Sequence, residues 1–415
     1  MPNEAGAQPT ILIIGTYDTK AEELAYLAER IGAAGGAALT MDVSVLGDPP
    51  GPVTVTKHEV AAAGGGSIEE AAGFGDENLA MQLMARGAAL LTRRLFDEGR
   101  IGGMIALGGT MGTDLALDCA RALPLGAPKY IVSTVSFSPL IPAERLAPDV
   151  QMILWAGGLY GLNPVCRASL SQAAGAVVGA ARAAERPESA RPLVGMTSLG
   201  SSCLKYMKAL KPALEARGYD LAVFHATGMG GMAFESLAAE GAFVCVMDFA
   251  LPELGNLLAG SAVNSGEGRL TAAGLAGVPQ IVAPGCLDLI DFAGWQEIPA
   301  RYADRPFHAH NRLIKSAALN AEERRESAAA MGERLAKAKG PVAVILPAGG
   351  VEEWDRPGGA THDGPAHEAF CAALRGAIRP PATLTEIAGH INDAEFVEAA
   401  LAIFDRWRAE GVVPG

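Results

Sequence analysis

The amino-acid sequence predicts an α/β protein with two lobes, each built on a mostly parallel, doubly wound sheet, that face each other across a cleft. Short apolar runs without alternation recur along the chain, each followed by a Gly-rich turn and a helical pattern, which is typical of strands buried on both faces of a parallel sheet. A polar segment with two prolines, 185–192, interrupts this rhythm before it restarts. At roughly 150 residues per domain, the 415 residues correspond to about 2.8 domains.

The first lobe, residues 1–187, is expected to bind a nucleotide. Its strands are predicted at 11–15, 38–43, 101–107, 130–134 and 152–155. Its predicted helices include 19–33, 77–98 and 113–122. Parallel neighbours need a crossover connection, nearly always right-handed, so helices between these strands indicate a doubly wound sheet.

The second lobe, residues 188–415, is expected to carry a substrate or metal site. Its strands are predicted at 193–197, 221–225, 243–247, 280–283, 342–346 and 383–387. Its helices are predicted at 203–217, 232–240, 312–337 and 394–410. Clefts between such lobes are common small-molecule sites, so a small-molecule ligand is expected between them.

Composition excludes several classes of protein. Half of the residues are hydrophobic and 19% are charged, which argues against a disordered chain. The net charge of −13 argues against nucleic acid and membrane surfaces as partners. No apolar run approaches the roughly 20 residues that span a bilayer, and no signal-peptide pattern occurs, so a cytoplasmic location is predicted. The six cysteines are scattered without a C-x-x-C pair, which favours reduced thiols.

The first candidate anion site is the turn Gly15-Thr-Tyr-Asp-Thr-Lys20, between a predicted strand and a predicted helix. Backbone amides at the helix start, with the hydroxyls of Thr16 and Thr19, are suited to a phosphate or carboxylate. The alternative is that Asp18 or Thr19 only caps the helix.

Asp42 ends the second predicted strand, near the roughly 20-residue offset at which dinucleotide folds place an acid on ribose hydroxyls. A turn-forming aspartate is the alternative. The ribose role supports a weaker hypothesis, a dinucleotide oxidoreductase, against which the missing G-x-G-x-x-G counts.

The second candidate is the loop 108–113, which also joins a strand to a helix. Glycines allow the backbone to approach an anion closely, and threonine hydroxyls add donors, so this loop is predicted to cradle phosphate. It is not a Walker A loop. The hydroxyls that follow the next strand are expected to line the same pocket or to satisfy local turn amides. The residues concerned are Gly108, Gly109, Thr110, Met111, Gly112, Thr113, Ser133, Thr134 and Ser136.

In the second lobe, the turn 225–231 has the same strand, glycine turn and helix form. A second anion site is predicted there, with His225 as acid or base and Glu235 one turn further on. A tight turn with a capped helix is the alternative. The predicted anion-binding residues are Thr227, Gly228, Gly230 and Gly231.

Histidines and carboxylates of the second lobe suggest a metal site, because imidazole and carboxylate are common metal ligands. The proposed ligands are His308, His310 and Asp288. His225 and His390 also lie near acidic residues, and Asp291 is a further carboxylate of this lobe. H-x-H alone is weak evidence, and helix capping or hydrogen bonding is the favoured alternative. The acidic stretch 352–363 is interpreted as a lid or surface excursion.

Taken together, seven motifs resemble the tomato mosaic virus resistance protein family, in its amino-terminal ATP-binding region and its bacterial relatives. The motifs occur in order as Gly15-Thr-x-Asp-Thr-Lys20, Leu107-Gly-Gly-Thr-x-Gly-Thr113, Ser133-Thr-Val-Ser136, Phe224-His-Ala-Thr-Gly-x-Gly-Gly231, Leu287-Asp-x-x-x-Phe292, His308-x-His-Asn311 and His390-Ile-Asn-Asp-Ala-Glu-Phe396. The resemblance implies two Rossmann-like subdomains, a homodimer, and ATP held by the first lobe, with Lys57 loosely matched to a basic side chain near the phosphates.

Two positions depart from the family's loop, commonly G-G-S-G-G-T. Thr110 and Met111 stand here in place of the central Ser and Gly. If position 111 required a positive φ, Met111 would be strained.

Two functions of different classes follow. The first is a metabolic enzyme that binds ATP and acts on a small carboxylate or carbonyl compound. Its catalytic residues would be His225, Asp288, His308 and His310, and Asp18 or Asp288 would hold Mg²⁺ or another divalent metal. The second is a non-catalytic dimer that recognises another protein when nucleotide is bound.

Overall fold

The chain divides into two compact units in the computed structural model, which describes residues 8–158, 160–185, 190–295 and 297–414. Unit 1 is Met1–Pro187 and unit 2 is Glu188–Gly415. Of the predicted linker 185–192, residues 186–189 lie outside the described residues. None of the described helices combines the length and the apolar character needed to cross a membrane.

Unit 1 contains a five-stranded parallel sheet in the order β2-β1-β3-β4-β5. Its strands are β1 (Thr10–Gly15), β2 (Ala37–Asp42), β3 (Gly103–Gly108), β4 (Lys129–Ser133) and β5 (Gln151–Leu154). Its helices are α1 (Ala21–Ala33), α2 (Lys57–Ala63), α3 (Ile68–Gly73), α4 (Glu77–Asp97), α5 (Thr110–Ala122) and α6 (Pro164–Ala183).

The strand β1 shows why an uninterrupted apolar run forms this sheet. Successive side chains of a strand point to opposite faces. Leu12 and Ile14 therefore pack into one core together with α4 and α5, and Ile11 and Ile13 pack into the other together with α1 and α6. All four side chains are buried, and each contributes about 1.5–3 kcal/mol of hydrophobic free energy.

Unit 2 contains a six-stranded parallel sheet in the order β14-β13-β9-β8-β6-β7 and a three-stranded antiparallel sheet in the order β10-β12-β11. The strands are β6 (Leu193–Ser198), β7 (Asp220–His225), β8 (Cys245–Asp248), β9 (Gln280–Val282), β10 (Leu289–Ala293), β11 (Phe307–His308), β12 (Ile314–Ala318), β13 (Val342–Pro347) and β14 (Ala382–Ile387). The helices are α7 (Lys205–Glu215), α8 (Met229–Ala239), α9 (Pro252–Ala259), α10 (Ala272–Ala276), α11 (Ala321–Leu335), α12 (Gly364–Ala377) and α13 (Ala394–Ala409).

The predicted α/β class with mostly parallel sheets is confirmed, but the antiparallel sheet was not predicted. The helix predicted at 312–337 is wrong over its first part, which forms β12 and pairs with β10 and β11. The helix begins only at Ala321, where Asn320 and Glu323 form a capping box. β12 is only five residues long and ends two residues before the N-cap of α11, so its own sequence does not distinguish a strand from the start of that helix.

Each parallel sheet has a switch point, where the chain connections leave in opposite directions across the sheet. In unit 1 it lies between β1 and β3, because β1 connects to β2 on its other side. In unit 2 it lies between β6 and β8, because β6 connects to β7. Ligands of open α/β sheets bind outside the carboxyl ends of the strands at such points.

Candidate functional site

A pocket of about 550 Å³ lies at the carboxyl ends of β1 and β3, at the switch point of unit 1. Both turns predicted to bind an anion line it. The lining residues are Ile14, Gly15, Thr16, Asp18, Thr19, Lys20, Val43, Val45, Leu46, Ala71, Ala72, Gly75, Asp76, Glu77, Ala80, Met81, Leu107, Gly108, Gly109, Thr110, Met111, Gly112 and Leu115.

The amino terminus of α5 faces this pocket without a cap of its own. Gly109 occupies the N-cap position and so offers no side chain, and the first turn contains no acidic residue. The first intrahelical bond is donated by the Thr113 amide to the Gly109 carbonyl oxygen, 2.9 Å away. The preceding amides of the first turn have no intrahelical acceptor, and the helix dipole adds partial positive charge there.

Two expectations about this loop are corrected. The helix begins at Thr110, three residues earlier than predicted, so Met111 is helical and does not require a positive φ. The predicted strain at Met111 is therefore absent. Close packing instead explains a glycine at the strand end, because a Cβ on Gly108 would lie 2.7 Å from the Cα of Gly112.

The other predicted turn, 15–20, is organised by Asp18. Its Oδ2 accepts a hydrogen bond from the Gly47 amide at 3.1 Å, and its backbone amide donates to Ser44 Oγ. Its Oδ1 is buried without a hydrogen-bond partner. The alternative that Asp18 or Thr19 caps α1 is wrong, because Lys20 is the N-cap and no side-chain cap is formed.

Charge is unevenly distributed in the pocket. The pocket wall contains three acidic residues, Asp18, Asp76 and Glu77, and one basic residue, Lys20. Most of the remaining wall is aliphatic. A dianionic or more highly charged ligand therefore needs a cation beside it here.

Asp42 and Lys57 do not line the pocket, contrary to prediction. Asp42 is buried, and its Oδ1 accepts hydrogen bonds from the Tyr17 amide and from the amide and hydroxyl of Ser44. It organises the turn, as the alternative interpretation held. The Lys57 ammonium donates to the Gly47 carbonyl oxygen and pairs with Asp48, each at 2.8 Å, so it holds that loop.

The predicted hydroxyls after β4 and in α5 are also directed elsewhere. Thr113 donates to the Gly109 carbonyl oxygen and lies 2.6 Å from Ser133 Oγ. Ser136 donates to backbone oxygens. With Thr134, these residues are absent from the pocket wall, so satisfying local backbone groups is the role that the structure shows.

In unit 2, the predicted second anion site is filled by the protein itself. Glu253 Oε1 accepts hydrogen bonds from the amides of Gly228 and Gly231, at 2.6 and 3.0 Å, at the amino terminus of α8. A Cβ on Gly231 would lie 1.9 Å from Glu253 Oε2, so this glycine is required by the close approach of the carboxylate. Thr227 donates its amide to the His225 carbonyl oxygen, and a Cβ on Gly230 would lie 1.9 Å from that same oxygen.

Glu253 belongs to an ionic network centred on Arg269, whose side chain is fully buried. The guanidinium bonds Glu253 at 2.8 Å, Asp248 at 2.5 and 2.8 Å and Glu235 at 3.1 Å. Thr197 of β6 donates to Asp248, which ends β8, so the network occupies the switch point of unit 2. Burial raises the pKa of Glu253 and of Glu235, and Arg269 opposes this shift.

The four predicted catalytic residues do not form one group. His225 is exposed at the end of the edge strand β7, whereas Asp288 follows β9, three strands away. The ring of His308 stacks on Trp354 with centroids 3.7 Å apart, and the ring of His310 lies 5.9 Å from the same indole. Burial lowers the pKa of His308. Stacking on Trp354 is thus the observed role of His308.

The predicted metal ligands are not brought together either. Within the described residues, the group of three or more metal-ligating side chains that the structure assembles is Asp288, Glu352 and Asp355, without His308 or His310. Glu352 and Asp355 are buried, so the prediction that this stretch forms only a surface excursion is wrong for them. Burial, with Asp288 beside it, raises the pKa of Glu352 to about 9.

Both units match domains of one known protein family. Residues 9–186 match the description "Uncharacterised protein family (UPF0261) N-terminal domain", and residues 191–408 match the C-terminal domain of the same family. The chain belongs to the UPF0261 family. A UPF0261 protein of Brucella melitensis is 55% identical over 405 residues, covering 98% of this chain and 97% of that protein. A UPF0261 protein of Clostridium tetani is 34% identical and covers 94% of this chain and 96% of that protein.

The resemblance to the tomato family is confirmed. The ToMV resistance protein Tm-1 of Solanum lycopersicum is 28% identical to this UPF0261 chain over 421 residues, which is 95% of this chain and 55% of that protein. Among solved structures, a glycosyltransferase of Streptomyces sp. complexed with thymidine diphosphate is 16% identical, with a TM-score of 0.20, over 66% of this chain and 82% of that one. An A1-type ketoreductase is 14% identical, with a TM-score of 0.20, over 97% and 84%. Neither likeness supports a transfer of function.

The residues that sequence reasoning missed in this UPF0261 chain are mainly buried charges. Glu253 and Arg269 lie between the strands predicted at 243–247 and 280–283, in a stretch for which no element was predicted, and carry no motif of their own. Asp355 and Glu352 follow β13, and Asp288 follows the neighbouring β9, so their position after adjacent parallel strands was the available signal. Using it requires the strand order, which a single sequence does not reveal.

Proposed function

We propose that unit 1 binds ATP together with Mg²⁺ in the pocket at the carboxyl ends of β1 and β3. The observation that carries the proposal is the uncapped amino terminus of α5, which faces a pocket of about 550 Å³ at a switch point. Small-molecule sites commonly enclose roughly 300–1,000 Å³. Helix amino termini at switch points are suited to phosphate.

The two ends of the pocket suit the two ends of a nucleotide. The amides of Thr110, Met111 and Gly112 would bind phosphate oxygens at the start of α5. Aliphatic side chains such as Val45, Leu46 and Met81 offer a wall for a nucleoside. ATP is chosen among nucleotides because the resemblance to the tomato family implies it.

Mg²⁺ fits the charge of the pocket. Three carboxylates against one lysine would repel a polyphosphate, and a divalent ion between them removes that repulsion. The unpartnered Oδ1 of Asp18 is the group positioned to bind it, because Mg²⁺ prefers carboxylate and phosphate oxygens. When bound, Mg²⁺ would neutralise phosphate charge.

The test is thermal and urea unfolding of the full chain with ATP, with and without Mg²⁺. At a concentration of 100 times Kd, ATP should raise the free energy of unfolding by about 2.7 kcal/mol. Gly109→Asp should abolish the increase, because it adds a carboxylate at the start of α5. Gly51→Asp, at an exposed glycine with open space around its Cβ, is the matched control and should keep it.

Two results would contradict the proposal: no stabilisation of the wild-type chain by ATP with Mg²⁺, or an equal stabilisation of Gly109→Asp. Stabilisation by NAD(P) in place of ATP would favour the oxidoreductase alternative, although Asp42, the residue that suggested it, is buried. The proposal assigns no carboxylate or carbonyl substrate, since Glu253 fills the anion site on which that prediction depended.

A second candidate is a homodimer that binds another protein when nucleotide is present. Large apolar side chains are exposed on and beside the edge strand β5, with Phe137, Leu140 and Leu154 exposed by 79, 71 and 48%. One relative, the ToMV resistance protein Tm-1, is named for resistance to a virus. Light scattering should then give twice the chain mass, and Phe137→Ser with Leu140→Ser should give the monomer mass.

A further inference from the structure

Unit 2 gathers three carboxylates at the carboxyl ends of neighbouring strands, outside the pocket assigned to ATP. Asp288 follows β9, and Glu352 and Asp355 follow β13, which pairs with β9 in parallel. One oxygen atom from each of the three lies within 4.8 Å of the others. This spacing allows the three oxygen atoms to share one ion.

These carboxylates are buried without matching positive charge. Asp288 and Glu352 are fully buried, and Asp355 is 7% exposed. Arg324, also fully buried, lies 3.5 Å from Asp288 Oδ2 and offsets one charge. His390 contacts Asp355 Oδ1 at 3.0 Å, but its Nδ1 accepts a hydrogen bond from the Asn392 amide, which fits a neutral ring protonated at Nε2. Three ionised carboxylates would leave an excess of two negative charges.

The carboxylates of Glu352 and Asp355 both accept hydrogen bonds from other groups of the protein, whereas that of Asp288 accepts none from the described residues. Glu352 accepts from the Trp354 amide and the Thr361 hydroxyl, and Asp355 accepts from the Val351 amide and His390. Neither carboxylate oxygen of Asp288 has a hydrogen-bond partner, although both are buried, and the Nη1 and Nη2 atoms of Arg324 also have none, with Nη1 3.5 Å from Asp288 Oδ2. Buried polar atoms of folded proteins are normally paired. Arg324 faces Oδ2 of Asp288, so the atom that still lacks a partner is Oδ1, and a ligand beside it is expected.

We propose that Asp288, Glu352 and Asp355 bind one divalent cation, Mg²⁺ or Mn²⁺, in the interior of unit 2. A ligand set made of oxygen atoms alone selects hard cations over zinc or copper. A divalent charge balances the excess negative charge of the cluster. His390 is a positioning residue, because its Nε2 proton orients Asp355 and the Glu352 carbonyl without contacting the ion.

The experiment measures Mn²⁺ binding by the full chain without nucleotide. Because the cluster is buried, the protein is unfolded in urea with EDTA, refolded, and titrated with Mn²⁺ followed by electron paramagnetic resonance. The wild-type chain should bind one tight equivalent, and Asp288→Asn should lose it. Asp304→Asn, the same change at an exposed aspartate, is the matched control and should keep it.

Two further readouts separate this site from folding defects and from the ATP pocket. Mn²⁺ should raise the unfolding temperature of the wild-type chain but not that of folded Asp288→Asn. Gly109→Asp should retain the Mn²⁺ equivalent. The proposal is overturned if the wild-type chain binds no tight Mn²⁺, or if folded Asp288→Asn binds as much as the wild type.

Discussion

Two helix amino termini, those of α5 in unit 1 and α8 in unit 2, follow the same kind of strand and glycine turn but differ in what occupies them. The α5 terminus has no side-chain cap and faces a pocket. The α8 terminus holds the carboxylate of Glu253, itself bonded to Arg269. In unit 2 the protein itself supplies the anion at the helix terminus, whereas in unit 1 we propose that a ligand supplies it.

A glycine turn before a helix therefore indicates that the helix terminus favours a negatively charged group. It does not indicate whether that group belongs to a ligand or to the protein itself. Unpaired amides and the helix dipole attract any anion. A carboxylate from the same chain needs no association from solution, and burial with Arg269 holds it in place. Whether such a turn binds a ligand therefore depends on residues distant in sequence.

The largest expected effect is at Arg269. Arg269→Ala would leave two buried carboxylates, of Asp248 and Glu253, and the partly buried Glu235 without their counter-charge, and breaking a buried ion pair costs about 3–5 kcal/mol. Urea unfolding followed by tryptophan fluorescence measures it, since Trp295, Trp354 and Trp407 lie in unit 2. Arg325→Ala, at an exposed pair with Glu322, should cost at most about 1 kcal/mol. If both variants lost the same free energy of unfolding, the buried network around Arg269 would not stabilise unit 2 more than an exposed ion pair does.

Removing the Glu253 carboxylate should leave the amino terminus of α8 without an anion, like the amino terminus of α5. Glu253→Ala leaves two amides and one guanidinium N–H without a partner, for a loss of about 2–3 kcal/mol. Formate should then restore part of the stability by binding where the carboxylate was. The experiment is done in the Gly109→Asp chain, so that formate does not act through unit 1. Equal effects of formate with and without Glu253 would refute the comparison.

Buried carboxylates should also make unit 2 sensitive to alkaline pH when no metal is bound. Burial raises the pKa of Glu352 from 4.5 to about 9, so the folded chain keeps a proton that the unfolded chain has lost between these values. Stability must therefore fall as pH rises through this window, by roughly 2 kcal/mol between about pH 6.5 and about pH 8.5. Urea unfolding in EDTA measures the slope. Glu352→Gln should flatten it, and an unchanged slope would assign it to other groups.

The smallest effect is expected at Asp42. It does not line the unit 1 pocket but accepts hydrogen bonds from the Tyr17 and Ser44 amides. Asp42→Asn retains an acceptor for the Tyr17 and Ser44 amides, so the Kd for ATP with Mg²⁺ should change by less than about threefold. Asp18→Asn, in the pocket wall, should weaken binding by about tenfold or more. Isothermal titration calorimetry compares the two. A tenfold loss at Asp42 would restore its predicted ribose contact.

The sequence by itself determined the α/β class, the parallel strands and the two turns that line the unit 1 pocket. These features depend on local patterns: apolar runs such as 11–15 specify buried strands, and glycines after them permit close approach of backbone. The strand from Ile314 was missed because it is only five residues long and directly precedes a helix.

Only the tertiary structure decided which candidate residues meet. Asp42, Lys57 and Ser133 are satisfied by neighbouring groups, and His225 lies at a sheet edge away from Asp288. Strand order brings Asp288 to Glu352 and fills the α8 terminus with Glu253. The physical reason is that hydrogen bonds and ion pairs act over a few ångströms, whereas the groups that form them are separated by up to tens of residues of chain.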